Sequence, residues 1–326
     1  VNQPGNRLRW RKAMTAAIAP LNAQTPPGHG RSGLEDHQHR DGKNARQVAN
    51  WLKKKSFGNK PFFISLGIQK PHVPFLAPDR YFDLYPREKI GFHRDAPDLW
   101  KSIPADALNG RYQAFGFQAG VENVARRQEF MQAYHACISF IDAQIGVVLD
   151  QLKAENLYND TIIILTSDHG YHLGDHFLWG KVTLFDIGTK VPLIVRVPGI
   201  TKKGSRSDAM IELVDIFPTL TDLSRLNPSK DLQGKSIVPL LQEPTAAHSN
   251  PYAYSVVRRK QTLGYAIRDQ QWRYGQWPNG EELYDLRTDP HERVNLAHQP
   301  NSANKLFEMR KALAVRQELA GSQKEK

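Results

Sequence analysis

The sequence predicts an α/β fold, a mainly parallel sheet flanked by helices, with a small C-terminal antiparallel β subdomain and a terminal helix. The apolar run Ile162–Leu165 is short, β-branched and followed by turn residues, which is typical of a strand buried on both faces. Glu129–Lys153 repeats apolar residues at spacings of three and four, a helical period. After Gln242 the apolar segments become short and aromatic, as in antiparallel strands.

The first half of the chain follows this pattern. Val1–Arg40 is basic and rich in Pro, Gly and His, and it contains no predicted strand. A helix is predicted at Ala45–Lys55 and a second buried strand at Lys60–Ile68. The apolar stripe of the long helix is expected to be core, with Cys137 as a small buried hydrophobe. Its members are Phe130, Tyr134, Cys137, Ile138, Ile141, Ile145, Val148, Leu149 and Leu152.

The second half contains further predicted elements. Val191–Gly199 reads as a strand, and Leu213–Leu220 opens a helix in which Pro218 is tolerated near the start. The C-terminal strands are predicted at Tyr252–Val257, Gly264–Arg268, Trp272–Trp277 and Glu282–Leu286, with Asn279-Gly280 as a hairpin signal. A closing helix at Ala303–Leu319 precedes a solvated tail. We therefore divide the chain into a basic, irregular segment (1–43), an α/β core (44–242) and a C-terminal sheet with its helix (243–326).

Composition excludes some classes of protein. With 326 residues, 40% hydrophobic and 24% charged, the chain can bury a sizeable core. No apolar run approaches the ~20 residues that a membrane span needs. A single cysteine excludes an internal disulfide, and no targeting segment in the sequence indicates a cellular compartment.

A net charge of +11 raises the question of an anionic partner. Arg7–Lys12 and Lys53–Lys55 are basic clusters that could contact nucleic acid. No nucleic-acid recognition motif accompanies them, which argues against that partner. A solvated basic surface and a surface for sulfated polysaccharides both remain open, because surface charge does not identify a ligand.

Candidate chemistry follows the strand at Ile162–Leu165. Asp168 and His169 lie directly after it, and Lys181 comes after a loop closed by Trp179-Gly180. Ligands of open α/β sheets bind beyond the carboxyl ends of the strands, so a carboxylate, an imidazole and an ammonium here suit an anionic substrate beside a metal ion. Ordinary turn chemistry is one alternative. A zinc set made of His169, His172 and His176 is another alternative. It is only weakly supported, because Gly170 and Gly174 interrupt the helix that this spacing would need.

A second histidine follows the strand predicted at Lys60–Ile68. Pro71 and Pro74 restrict the backbone on either side of His72, which places this imidazole in a defined turn at a strand end. A structural role is an alternative for a lone histidine. We expect His72, Asp168 and Lys181 to converge around one pocket, with Tyr171, His172, His176 and Trp179 lining it as substrate-binding residues.

Two motifs resemble the sulfatases of the alkaline phosphatase superfamily, in particular the branch of iduronate sulfatase and related bacterial enzymes. They are the loop Asp168–Asp186 and the segment Pro61–Phe75, and Glu281–Leu296 is similar to a C-terminal signature of the same family. The resemblance implies an alkaline phosphatase-like fold, Ca²⁺ bound by Asp168 and His169, and a sulfate contacted by Lys181 and His72. It also implies hydrolysis of sulfated sugars or similar esters, and a periplasmic, secreted or lysosomal location.

One element of that family is missing from the printed residues. Sulfatases make their nucleophile, formylglycine, within a Cys/Ser-x-Pro-x-Arg motif, and no such motif occurs here. The resemblance covers roughly the C-terminal two thirds of a typical sulfatase, as in a truncated or mis-started reading frame or a fragment. Two ligands are too few for calcium, which takes about six to eight oxygens. We therefore expect weak metal binding and little hydrolysis from this chain alone.

Two alternatives to a sulfatase remain from the sequence. A sulfatase-fold remnant without turnover could bind anionic glycans. A phosphoester or phosphonate hydrolase is the neighbouring possibility, because tetrahedral anions share this chemistry of a metal beside a cationic side chain. The sequence does not indicate an oligomeric state.

Overall fold

A computed structural model describes residues 28–91, 95, 99–108, 124–227, 231–247 and 250–321. They belong to two compact units: the first contains 28–91 and 124–161, and the second contains 95, 99–108 and everything described from 162 onward. The basic cluster Arg7–Lys12 and the tail beyond Gly321 lie outside the described residues. The three segments predicted from the sequence (1–43, 44–242 and 243–326) divide the chain differently from these two units, and that division stays a prediction.

The first unit is built around one long helix. Its elements are strand β1 (His29–Arg31), helix α1 (Arg40–Lys53), strand β2 (Phe75–Ala77), the one-turn helix α2 (Asp79–Phe82) and helix α3 (Val124–Ala154). Strands β1 and β2 pair in parallel. They pack on α3, where the rings of Phe75 and Phe130 are 4.7 Å apart.

Helix α3 confirms the predicted long helix, but its buried face is shifted from the predicted stripe. Cys137 is fully buried as expected, and burial raises the pKa of its thiol to about 12. Ile138 is 39% exposed instead, and the polar Gln144 is fully buried. Gln144 is satisfied there because it bonds Asp36 at 2.7 Å and Arg46 of α1 at 2.8 Å. A polar network therefore occupies part of the buried face of α3, which the apolar pattern had placed on a different side of the helix.

The strand predicted at Lys60–Ile68 is not formed. Residues 61–69 form neither a helix nor a strand, although their burial alternates, and no described strand pairs with them. Phe63 is 79% exposed. A strand is defined by a hydrogen-bonded neighbour, and apolar periodicity alone does not supply one.

The second unit begins with β3 (Ile163–Thr166), which confirms the strand before Asp168. Its partner is β6 (Leu193–Arg196), and the pair is antiparallel. The chain between them forms the hairpin β4 (His172–Leu173) and β5 (Trp179–Gly180) and the one-turn helix α4 (Asp186–Thr189). Antiparallel strands can be connected without a long crossover helix, which explains why a hairpin and a one-turn helix are enough to connect β3 with β6. The mainly parallel sheet is thus not confirmed among the described residues, and β3 is only half-buried.

The predicted C-terminal meander is confirmed. Strands β7 (Ala253–Arg259), β8 (Thr262–Arg268), β9 (Trp272–Trp277) and β10 (Gly280–Asp285) pair antiparallel in sequence order. Trp277 pairs with Gly280, so Pro278 and Asn279 form the centre of the hairpin turn.

Three more helices complete the second unit. They are α5 (Ile216–Leu223), α6 (Val238–Gln242) and α7 (Ala303–Gly321), of which α5 and α7 were predicted. Short 3-10 turns occur at Asp36–Gln38, Arg87–Lys89, Leu99–Ser102, Tyr158–Asp160, Asp175–Phe177, Leu213–Asp215 and Pro300–Ser302. In the described part of the chain, none of the helices combines the length and apolar character needed to cross a membrane.

The C-terminal sheet has two apolar faces, and one of them supports the loop that contains Lys181. On one face Tyr274 and Ile267 pack against Leu306, Met309 and Leu313 of α7. The residues of the other face pack with the loop. They include Ala266, Trp277 and Tyr284 of the sheet and Leu178, Leu184 and Phe185 of the loop.

Candidate functional site

The loop after β3 returns on itself and brings Lys181 next to His169. In the hairpin, His172 pairs with Gly180 and Leu173 with Trp179. Continuing this antiparallel register places Lys181 beside the residues that follow β3. Its Nζ lies 3.0 Å from Nε2 of His169. The short hairpin thus brings together two residues that lie twelve positions apart in the sequence.

The hydrogen bonds of His169 determine which ring nitrogen carries a proton. Nδ1 lies 2.9 Å from the carbonyl oxygen of Gly170, which can only accept, so Nδ1 is the donor. In the neutral ring Nε2 then holds a lone pair, and it accepts a hydrogen bond from the Lys181 ammonium. This imidazole is oriented as an acceptor toward a cation.

Asp168 completes this group at the surface. Its side chain is 82% exposed, and Oδ1 accepts a hydrogen bond of 3.0 Å from the backbone N–H of His169. Oδ2 lies 3.3 Å from Nε2 of the same histidine. The structure therefore brings a carboxylate, an imidazole lone pair and an ammonium together on one loop, in the order that the sequence predicted.

Gly170 is required because the backbone of a neighbouring segment passes close to it. Its φ is not in the left-handed region. A Cβ at this position would lie 2.0 Å from the carbonyl oxygen of Ile187, because the loop runs against α4. The backbone N–H of Gly170 also donates to Gly188 at 3.0 Å. The glycine permits a close backbone approach that holds Asp168 and His169 in place.

Three of the predicted pocket residues lie in the interior of the second unit. His172 and Trp179 are fully buried, and His176 is 2% exposed. Nδ1 of His172 donates to the carbonyl of Asp175, and Nε2 accepts from the hydroxyl of Thr183 at 2.7 Å. Burial lowers the pKa of His172 to about 3, so this ring is neutral. Substrate contact by these three side chains stays a prediction that their burial does not favour. Tyr171 is half-buried, and its role stays a prediction too.

His72 belongs to the first unit, in a turn held by α1. Asp41, which is 2% exposed, accepts backbone hydrogen bonds of 2.9 Å from Gln69 and Lys70. The Lys70 ammonium donates to the carbonyls of His72 and Pro74, and burial lowers the pKa of this lysine. The His72 side chain is exposed, with Nδ1 donating to the carbonyl of Val73 at 2.7 Å. Convergence of His72 with the Asp168 loop stays a prediction.

A metal ion was predicted for Asp168 and His169. Both present lone pairs on the same side, as the contact of Oδ2 with Nε2 shows. Among the described residues, however, no three His, Cys, Asp or Glu side chains are grouped to hold a metal. Calcium takes about six to eight oxygen ligands, so this donor set does not fit calcium by itself. The zinc alternative fails on the same ground, because His172 and His176 are buried with other partners.

Sequence comparison now decides the family. The sulfatase family profile matches residues 8–225, which is more than half of the chain, and a profile described as N-sulphoglucosamine sulphohydrolase, C-terminal, matches residues 174–318. The chain belongs to the sulfatase family. A sulfatase from Formosa agariphila is 36% identical over 77% of this chain and 50% of its own length. Human iduronate 2-sulfatase is 29% identical over 82% of this chain and 64% of its own.

Structural comparison finds solved proteins that share the fold of this chain. The phosphonate monoester hydrolase of Agrobacterium radiobacter superposes with a TM-score of 0.77 at 25% identity, over 97% of this chain and 69% of that one. The fold is alkaline phosphatase-like, as expected from the resemblance. The chain spans between half and two thirds of the length of the two curated sulfatases that it matches.

Proposed function

We propose that this chain contributes the sulfate-binding loop of a sulfuric ester hydrolase of the iduronate sulfatase-like kind. The observation that carries the proposal is the contact of Lys181 with His169 beside Asp168, at the end of β3 in a sulfatase-family chain. Lys181 is the cation of that group, and a sulfate ester is an anion that it can neutralise. The exposed Asp168 supplies the opposite charge.

The two catalytic residues are Lys181 and His72. Placed against a sulfate, their side chains would offset the negative charge that grows on its oxygens in the transition state. One of them would stabilise or protonate the departing alkoxide. Nδ1 of His72 is engaged with the carbonyl of Val73, so Nε2 is the nitrogen oriented to act on a substrate. This assignment requires the two turns to face one pocket.

The buried residues of the loop act indirectly in this proposal. His172, His176 and Trp179 fix the hairpin that returns Lys181 to His169, and Tyr171 is the residue that remains to contact substrate. Asp168 and His169 would each give one ligand to the Ca²⁺ that the family resemblance implies. A bound cation there supplies positive charge beside the sulfate. Because these two donors are insufficient, no step of the reaction is assigned to the metal.

A sulfated sugar or a similar small sulfate ester is the proposed substrate class. A net charge of +11 favours an anionic substrate, and one relative is named for iduronate. Hydrolysis also needs a nucleophile, and the printed residues contain no Cys/Ser-x-Pro-x-Arg motif. We therefore propose that this chain by itself turns over little or no sulfate ester.

Two other functions are candidates for this chain. One is the binding of anionic glycans without turnover, which the net charge of +11 suits. Hydrolysis of a phosphonate or phosphate ester is favoured by the structural similarity to a phosphonate monoester hydrolase. Both use the same cationic side chain, so the nature of the ester distinguishes them from a sulfatase.

The test uses a protein in which this chain is present together with a segment that carries the nucleophile motif in its formylglycine form. We expect hydrolysis of 4-nitrocatechol sulfate to exceed that of the matching aryl phosphate and aryl phosphonate. Lys181→Ala should lower kcat/KM for the sulfate by roughly 30- to 1000-fold, which corresponds to ~2–4 kcal/mol of transition-state stabilisation.

Lys190→Ala is the matched control, because this lysine lies on the same segment but its side chain is 70% exposed. It should hydrolyse the aryl sulfate at the rate of the unchanged protein. Normal turnover by Lys181→Ala would refute the role of Lys181. Faster cleavage of the phosphonate would favour the second candidate function, and glycan binding without any turnover would favour the first.

A further inference from the structure

A buried group of three charged side chains lies beneath the candidate loop. Arg273 of β9, Glu282 of β10 and Glu292 are each 1% exposed. Nε of Arg273 donates to Oε1 of Glu292, and Nη2 lies 3.5 Å from Oε1 of Glu282. Burial would lower the pKa of Arg273, and the two carboxylates offset this and raise it. Burying charged side chains costs free energy unless they are paired, so the burial of this group needs a physical explanation.

Glu292 extends from this group into the loop that contains Lys181. Its Oε2 accepts a hydrogen bond of 2.7 Å from the backbone N–H of Asp186. Its backbone carbonyl accepts one of 3.0 Å from Nε2 of His176. These two contacts lie on either side of Lys181 in the sequence. One residue of the C-terminal subdomain therefore holds both ends of the segment that presents the ammonium.

Ring contacts strengthen the same connection. The rings of His176 and Phe185 stack with their centroids 3.9 Å apart and 14° between their planes. The guanidinium carbon of Arg273 lies 5.1 Å from the centre of the Phe185 ring. Arg273 and Glu292 together thus hold the two ends of the segment between His176 and Phe185 in place.

The backbone of this segment also needs support. His176 and Phe177 have φ values of 55° and 58°, in the left-handed region that disfavours residues other than glycine. Such conformations persist only where the surrounding contacts maintain them. For His176, these contacts are its N–H donation to Asp95 at 2.6 Å and its ring N–H donation to Glu292.

We propose that Glu292, held by Arg273, is a positioning residue that fixes the segment from His176 to Asp186 and thereby sets Lys181 against His169. Its effect on sulfate binding rests on the function proposed above, whereas its effect on the loop does not. Glu292 touches no reacting atom in this account. It determines where the ammonium lies when an anion arrives.

A matched control lies on the neighbouring strand. Glu281 of β10 pairs with Arg310 of α7 and accepts a 2.9 Å hydrogen bond from the hydroxyl of Tyr274. Glu281→Gln removes a charge from an ion pair of the same sheet, on the side that packs against α7. Glu292→Gln replaces the carboxyl group that supports the loop by an amide. Burial raises the pKa of this carboxyl group to about 7, and Arg273 opposes the rise.

The experiment measures two quantities for the full chain and for each variant. Hydrogen exchange with peptide resolution reports the protection of residues 168–186. Calorimetric titration with inorganic sulfate reports anion affinity. We expect Glu292→Gln to accelerate exchange in this segment and to weaken sulfate binding by about tenfold, as loss of a supporting contact does at other ligand sites. Glu281→Gln should change neither.

A second variant covers the case in which Glu292→Gln fails to fold. His176→Leu removes the ring N–H that donates to Glu292 and leaves the buried ion pair intact. It should give the same loop-specific increase in exchange and the same loss of sulfate affinity. Equal behaviour of either loop variant and Glu281→Gln would overturn the positioning role. If the unchanged chain binds no sulfate, the proposed function fails, and the exchange comparison still decides the role of Glu292.

Discussion

The turn 69–74 and the loop 168–181 each present a histidine after a segment that the sequence predicts as a strand, but different residues hold them in place. In the turn, Asp41 and Lys70 bond the backbone around His72, and the imidazole itself stays exposed. In the loop, side chains of the loop itself are buried, and His169 stays at the surface next to Lys181. The turn is held by Asp41 of α1 and by its own Lys70, whereas the loop is held by its own buried side chains together with Glu292.

The difference shows how the second unit can present a charged group with precision. A hairpin that buries His172, His176 and Trp179 has few alternative conformations, so Lys181 returns to one place. The turn around His72 depends on Asp41, which is buried, and on Lys70, which is half-buried. In both cases the residues that hold the backbone are distinct from those proposed to act on substrate.

The largest effect that tests this comparison concerns Gly170 of the loop and Gly67, which lies two residues before the turn. Gly170→Ala places a Cβ 2.0 Å from a backbone oxygen, whereas the same change at Gly67 meets nothing within 4 Å. We expect Gly170→Ala to lower the unfolding free energy by about 2 kcal/mol, as overpacking does. Gly67→Ala should change it by less than about 0.5 kcal/mol. Urea denaturation measures both, and equal losses would show that the two regions are held alike.

A smaller effect concerns pH and the buried ring of His172. Burial, and then the nearby His176, lower its pKa to about 3, so below about pH 6.5 the unfolded chain binds a proton that the folded chain does not. The stabilisation from this neutral ring is present above the unfolded pKa and is lost as pH falls. Between about pH 7.5 and about pH 5.5, the unfolding free energy should fall by about 1.4 kcal/mol more for the unchanged chain than for His172→Gln.

Exposed His37 provides the control for that measurement. His37→Gln should follow the pH dependence of the unchanged chain, because this change removes no buried imidazole. Denaturation curves for the three proteins at both pH values check the prediction. Identical pH dependence of His172→Gln and the unchanged chain would mean that the buried ring does not contribute.

Much of the fold followed from local patterns in the sequence. Helical spacing identified α3, alternation and aromatic residues identified the C-terminal meander, and the β-branched run identified β3. Pairing was not predictable, because apolar residues do not say which strand lies alongside. Residues 61–69 carry a strand pattern with no described partner, and β6 runs antiparallel to β3 where a parallel sheet was expected.

The candidate site divides in the same way. The cluster of Asp168, His169 and Lys181 could be found from one loop, because a short hairpin joins residues that are near in sequence. Burial of His172 and His176 could not, since polar rings are usually read as surface groups. Sequence analysis did not identify Glu292 as a candidate residue. Its contacts with Arg273 and the loop join positions far apart in the chain, and no local pattern reports them.

The most direct test of the central claim asks whether both turns act on one anion. Inorganic sulfate would be titrated into the unchanged chain, His72→Gln, Lys181→Met and the double variant, with His37→Gln and Lys190→Met as controls. We predict that each single change weakens binding and that the double change departs from additivity by at least about 0.5 kcal/mol. Additive losses, or unchanged affinity in either single variant, would contradict the claim.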